Sequence, residues 1–169
     1  MFQRCFMVCL LVSWMNLGLA QDLSPLEPFI GTWGGDVEME AAMGGGTFSG
    51  KVTFAWAPGK KAITSQMTLI VGGQEMPGSQ GITGWNPATK SFYFVDIGAD
   101  GSWTEGTIEK KGETGFYYEW QSLPVTGAPI TMKQEQSFVD ADTYNWRVFM
   151  KQGDTWVPVM KEVTFKRKK

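Results

Sequence analysis

From Gly31 onward the chain alternates apolar and polar residues with a period of two, and turn-forming residues break that rhythm at short intervals. Phe48, Val52, Phe54 and Trp56 interleave with Thr47, Ser49, Lys51 and Thr53, and Ile63, Met67 and Leu69 interleave with Thr64, Gln66 and Thr68. Successive side chains of a strand point to opposite faces, so this pattern selects half-buried strands over helices. The interruptions read Ala57-Pro58-Gly59-Lys60, Asn86-Pro87-Ala88-Thr89, Gly98-Ala99-Asp100-Gly101, Lys110-Lys111-Gly112-Glu113, Val139-Asp140-Ala141-Asp142 and Gln152-Gly153-Asp154. Each carries Gly, Pro, Asn or Asp, which supply a positive φ, a preset φ or a side chain that bonds its own backbone. The spacing predicts about ten strands, near 31–40, 46–57, 61–72, 79–86, 90–97, 102–109, 114–121, 129–138, 143–151 and 155–166. One short helix is expected over 24–30, with Ser24 as N-cap and Pro25 just inside. Short antiparallel strands joined by tight turns predict an all-β fold. The absence of a long crossover favours an antiparallel up-and-down barrel over a sandwich, and closure protects the sheet edges.

The N-terminus has a different character. Arg4 is a positive start, Cys5 to Met15 form a short apolar run, and Gly18 and Ala20 are small residues before a cleavage point. This predicts a secretory signal peptide over residues 1–20, cut after Ala20, and an exported protein, periplasmic or secreted. The run is too short for a comfortable membrane span, and no later run approaches one. Both cysteines, Cys5 and Cys9, fall in the removed segment, so residues 21–169 form a single cysteine-free barrel domain with neither disulfide nor thiolate metal site. Such a domain is expected to stand on core contacts alone.

Composition then excludes several function classes. The 169 residues are 43% hydrophobic, which suits one domain with a substantial core. With 15 basic against 17 acidic residues there is no reason to expect a nucleic acid partner. The chain has no histidine, which removes Ser-His-Asp and Cys-His catalysis and His-ligated zinc or haem. No cofactor and no metal is expected. The basic end, Lys166 to Lys169, reads as a solvated strand end or a contact for anionic lipid or a polyanion.

Tight four-residue hairpins would set Phe94 opposite Glu105, Asp96 opposite Trp103, Thr107 opposite Phe116, Glu105 opposite Tyr118 and Trp103 opposite Trp120. One face would then carry Trp85, Phe92, Phe94, Asp96, Trp103, Glu105, Phe116, Tyr118 and Trp120. The other would carry Ile82, Tyr93, Val95, Ile97, Thr104, Gly106, Ile108, Tyr117 and Glu119. The aromatic face is expected inside, because seven exposed large rings would make an unusually apolar surface. A slip of one residue inverts the assignment. The same parity turns Trp33, Val37, Met39, Phe54, Trp56, Met67, Met132, Gln134, Gln136, Trp146, Val148 and Met150 inward, and Lys133, Glu135 and Arg147 outward.

Gly31-Thr32-Trp33, opening the first strand after a short turn, resembles the G-x-W start of the lipocalin and calycin barrels, where the Trp plugs one end. Gly84 to Tyr93, then Asp96 to Gly101 and Gly106, resembles the GxDPxTxxY … D … G … G text of an uncharacterised family of bacterial exported proteins with a lipocalin-like fold. That family is a domain of unknown function, so the resemblance, from about Leu26 to about Phe165, implies a fold and no activity. Asn86 stands where the family often has Asp. Haem chemistry is not carried over, because no proximal His exists. The lipocalin pattern also implies an Arg over the Trp; Arg147 and Arg167 are the arginines after residue 21, and neither matches it.

Asp96 and Glu105 are the sharpest chemical feature, diagonal neighbours roughly 7–8 Å apart on the expected register. Among Trp103, Phe94, Tyr118 and Trp120 they would be desolvated, which suits general acid chemistry or a cationic or hydroxylated ligand. The plain alternative has Asp96 bonding the 98–101 turn and Glu105 facing water. Gln134 and Gln136 would line a polar end of a cavity, unless that strand's parity is reversed. The tryptophans fit ligand contact and core filling alike. The glycine run 44–46 lacks the Lys-Ser/Thr of a phosphate loop and reads as a flexible hairpin. Loops 43–46 and 71–80 are expected to form a barrel mouth.

The reading is thus a barrel closed at one end by Trp33 and the short helix, binding a small, largely apolar or aromatic ligand. The candidate contacts are Trp33, Trp56, Met67, Phe94, Asp96, Trp103, Glu105, Tyr118, Trp120, Gln134, Gln136 and Trp146. A solid-cored envelope interaction module using the outer face, and a carboxylate-assisted hydrolase or isomerase, are the two other classes. Oligomeric state is left open.

Overall fold

A computed structural model describes residues 22–169, so the expected signal peptide lies outside the described residues. The strands are β1 (Gly31–Glu38), β2 (Thr47–Trp56), β3 (Ala62–Val71), β4 (Gln74–Asn86), β5 (Ser91–Gly98), β6 (Trp103–Lys111), β7 (Gly115–Leu123), β8 (Ile130–Asp140), β9 (Thr143–Gln152), β10 (Thr155–Pro158) and β11 (Val163–Lys168). Each of β1 to β9 pairs antiparallel with the next. β11 then bridges β9 to β1 and closes a ten-stranded barrel, while β10 pairs only with β9. The all-β barrel expected from the alternation is therefore present. Among the described residues no helix is long and apolar enough to cross a membrane.

The expected strand 155–166 is two strands. Pro158 has no N–H to continue the ladder, and the chain leaves the edge of β9 there. Glu40 N–H donates to the Val159 carbonyl at 3.1 Å, and Lys161 N–H donates to the Glu38 carbonyl at 2.9 Å. Met39 and Met160 form an isolated bridge at this crossing. The basic end is a strand end with Lys166, Lys168 and Lys169 exposed, as expected, and Arg167 alone half-buried. Thr32 pairs with Lys168, Trp33 with Arg167 and Gly34 with Lys166, so most of it is a barrel strand.

The N-terminal turn is a 3-10 helix over Ser24–Phe29. Pro28 inside it lacks the donor a longer α-helix would need. Leu23, not Ser24, holds the N-cap position. Asp22 does the capping: its carboxylate accepts from the Ser24 N–H at 2.8 Å and from the Ser24 hydroxyl at 2.6 Å. Leu23, Leu26 and Phe29 are buried against Ile63, Phe92, Ile108, Phe116 and Tyr118. The Phe29 ring lies 4.8 Å from Phe116 and 4.9 Å from Phe138, so the helix plugs one end of the barrel.

A second cluster is centred on Trp33, with Val37, Val52, Tyr144, Val148, Met160, Val163 and Phe165. Trp33 is fully buried, and its indole N–H donates to the Phe29 carbonyl at 2.7 Å. The Arg167 guanidinium lies over that indole at 4.1 Å. An arginine on the Trp, which no position in the sequence matched, is supplied by the last strand.

One register expectation fails. Ile97 pairs with Trp103, Asp96 with Thr104 and Phe94 with Gly106. On the other edge Ile108 pairs with Tyr118 and Gly106 with Trp120. Both edges of β6 are thus shifted by an odd number of residues, and the strand is inverted. Ile108, Gly106 and Thr104 face in, while Trp103, Glu105 and Thr107 face out. Two turns cause this. Ser102 belongs to the first, because Asp100 accepts from its backbone N–H at 2.9 Å. The second is shorter than expected: Lys111 pairs with Gly115, and Gly112 adopts a φ of +64° that only a glycine takes without strain.

Candidate functional site

Above the plugged end the barrel encloses a cavity of about 620 Å³. Phe94, Tyr118, Trp120, Tyr144, Trp146 and Phe165 supply its aromatic wall, and Val52, Met67 and Leu69 its aliphatic part. Phe94 meets Tyr118 at 5.8 Å and Trp120 at 6.3 Å, both edge-on. Phe94 and Trp120 flank Gly106 in the register, so the missing side chain there leaves their rings room to meet. Tyr144 stacks parallel on Phe165 at 5.2 Å. Burial raises the pKa of Tyr118 and of Tyr144, so both phenols stay neutral.

The polar part starts with a row across four strands: Ser65, Gly81, Asp96 and Thr104. Gly81 has no Cβ, and any Cβ there would collide with the Asp96 carboxylate and the Ser65 hydroxyl. Ser65 therefore reaches over Gly81 and donates to Asp96 Oδ2 at 3.4 Å. Asp96 Oδ1 is buried with no hydrogen-bond partner among the described residues. Desolvation raises the Asp96 carboxyl above its ordinary value, opposed by hydrogen bonds from Ser79 and Ser65.

Further round the wall, Gln134 Oε1 accepts the Trp146 indole N–H at 2.9 Å. Gln136 is only 7% exposed, and its Oε1 has no partner among the described residues. The parity of β8 is as expected, with both amides lining the cavity. Two buried acceptors without partners, on two residues that line one cavity, are an unusual cost for a folded chain.

The mouth is formed by Pro77, Gly78 and Ser79 of β4 and by Gly98, Ala99, Asp100 and Ser102. Ala99 N–H donates to the Gly78 carbonyl at 2.7 Å and joins these two segments. The expected mouth is thus half corrected. Residues 74–80 reach it as part of β4, while loop 43–46 adds nothing to the cavity lining.

Of the candidate contacts, Met67, Phe94, Asp96, Tyr118, Trp120, Gln134, Gln136 and Trp146 line this cavity together. Trp33 and Trp56 lie in the apolar clusters beneath it. Trp103 and Glu105 are on the outer wall, where the Trp103 indole N–H donates to Glu105 Oε2 at 3.1 Å. The carboxylate pair is therefore split by the barrel wall, and acid–base chemistry shared between Asp96 and Glu105 is lost. Ser65, Ser79, Thr104, Tyr144 and Phe165 line the cavity without having been singled out. Ser65 was within reach: it shares the parity of Ile63, Met67 and Leu69, a polar residue in an inward apolar series.

No protein-family model matches the chain, and no curated protein matches it. Among solved structures it is similar to the crystal structure of Rv2717c from M. tuberculosis, at 16% identity and a TM-score of 0.62. The match covers 87% of this chain and 97% of that one, so the likeness extends over nearly the whole barrel and concerns the fold.

Proposed function

We propose that this protein is an exported, lipocalin-like barrel that binds one small molecule with a largely apolar body. The observation that carries the reading is an aromatic-walled cavity of about 620 Å³ whose lining includes three placed polar side chains, Asp96, Gln134 and Gln136. Ligand pockets combine a mostly apolar lining with a few placed polar groups in this way. Lipocalin kinship is supported by Gly31-Thr32-Trp33 together with the Arg167–Trp33 contact. Export rests on the signal-peptide pattern of residues 1–20, and membership of the uncharacterised bacterial exported family rests on the sequence resemblance. Met67, Phe94, Tyr118, Trp120 and Trp146 supply contact area, and Asp96, Gln134 and Gln136 orient the ligand.

Native mass spectrometry of residues 21–169, purified from the native host, tests this. A co-purifying small molecule at one per chain is the expected result. A bare protein mass, under conditions that keep the fold, would contradict it.

A second reading is favoured by one outer feature. Ile97, Trp103 and Leu123 pair in register across β5, β6 and β7 and are 47%, 40% and 37% exposed. This apolar row beside the mouth suits contact with another protein.

A further inference from the structure

We propose that the ligand is an organic cation: an apolar, ring-bearing body with a protonated amine that sits against Asp96. This rests on the binding-barrel reading and narrows it. No lysine, arginine or histidine lines the cavity. The charged side chains in its lining are two carboxylates, Asp96 inside and Asp100 at the rim. Asp100 is held ionised by the Ser102 hydroxyl at 2.6 Å and the Ser102 N–H at 2.9 Å. A ligand carboxylate would enter a site with two like charges and no counter-charge, whereas a cation is drawn in.

The free acceptors point the same way. Asp96 Oδ1 and Gln136 Oε1 are buried in the wall without donors among the described residues, so the polar side of the cavity has acceptors in excess and no cation to match them. An ammonium group offers three donors and no acceptor, so it can satisfy Asp96 by a charge-assisted bond. Phe94 and Trp120 line the same cavity as Asp96, and aromatic rings there suit a cation further. A cation beside Asp96 would also offset the desolvation that now disfavours its ionised form.

Titration calorimetry on residues 21–169 tests this with three probes that share one ring system: naphthylethylamine, naphthylethanol and naphthylacetate. The amine should bind roughly tenfold more tightly than the alcohol, the size expected of one charge-assisted hydrogen bond. The carboxylate should bind weakest. Asp96→Asn should abolish the preference for the amine over the alcohol. Naphthylacetate binding as tightly as the amine, or the amine matching the alcohol on the unaltered protein, would overturn the inference and leave the barrel reading standing. Amine preference surviving Asp96→Asn would overturn it as well. Failure of all three probes to bind would overturn the barrel reading itself. The ranking on the unaltered chain is decisive even where the variant does not fold.

Discussion

The Arg167 guanidinium lies over the Trp33 indole at 4.1 Å while its nitrogens tie the last strand to the segment before the first one. They donate to the carbonyls of Ile30 at 2.6 Å, Pro28 at 3.1 Å and Ala141 at 2.9 Å, and to the Asp142 carboxylate at 2.9 Å. One side chain thus ties the helical plug, the β8–β9 turn and the closing strand to the most buried residue. Arg167→Ala should cost about 3 kcal/mol, since it strips several charge-assisted bonds and a ring contact. Arg167→Lys should recover less than half of that, because an ammonium cannot reproduce the planar fork. Denaturant unfolding measures both, and a loss under about 1 kcal/mol for the alanine variant would contradict the role.

Gly81 separates Ser65 from Asp96 across three strands. Gly81→Ala places a methyl group where the Asp96 carboxylate and Ser65 hydroxyl now sit and also crowds the Val95 carbonyl. Overpacking of this kind costs about 1–3 kcal/mol. It should also displace Asp96 and weaken naphthylethylamine binding. Unchanged stability together with unchanged affinity would show that the three-strand row is not as described.

The inverted strand β6 gives a contrast between two tryptophans. Trp103 is 40% exposed on the outer wall, so Trp103→Ala should leave probe affinity unchanged and stability within about 0.5 kcal/mol. Trp120 lines the cavity opposite Phe94, so Trp120→Ala should cost about 2–3 kcal/mol and most of the probe affinity. The reverse pattern, with Trp103→Ala destroying binding, would restore the register expected from four-residue turns.

Asp96→Asn should change stability in a pH-dependent way. Burial raises the Asp96 carboxyl above its ordinary value of 3.8, against the pull of Ser79 and Ser65. The folded state therefore holds this proton more tightly than the unfolded chain. The stabilising contribution is complete below pH 3.8 and is lost as pH rises through the elevated folded value. At neutral pH the folded protein carries a desolvated carboxylate, so Asp96→Asn should unfold at a higher temperature than the unaltered chain. That advantage should shrink as the pH falls toward 3.8. Asp22 and Asp100 are held low by Ser24 and Ser102 and act with the opposite sign, but they are common to both proteins and cancel in the difference. An offset independent of pH would contradict the assignment. A gain in stability with a loss of amine binding is the usual cost of a polar group kept for function.

Period-two alternation was enough to read the barrel, since half-buried strands leave few alternatives once turn residues mark their ends. Inward parity was also legible for β1, β2, β7, β8 and β9, where one face is dominated by large apolar groups. β6 was not, because both its faces carry apolar residues and its register depends on two turns. Whether Ser102 joins the first turn is decided by the Asp100 carboxylate, a hydrogen bond that composition does not reveal. Arg167 was equally hidden. It sits in a run of basic residues that reads as solvated, and only pairing with β1 brings it onto Trp33. Most of the cavity was recovered through its aromatic and amide residues, while small polar members such as Ser65 and Thr104 passed as ordinary strand positions.

Fluorine NMR of the chain labelled with fluorotryptophan tests the central claim most directly. Every tryptophan of the described residues has a distinct place: Trp120 and Trp146 line the cavity, Trp33, Trp56 and Trp85 belong to the apolar clusters, and Trp103 and Trp156 lie on the outer wall. Titration with naphthylethylamine should move the Trp120 and Trp146 resonances and leave Trp103 and Trp156 where they are. Shifts at Trp103 and Trp156 with Trp120 and Trp146 unmoved would put the ligand on the outside of the barrel and contradict the account.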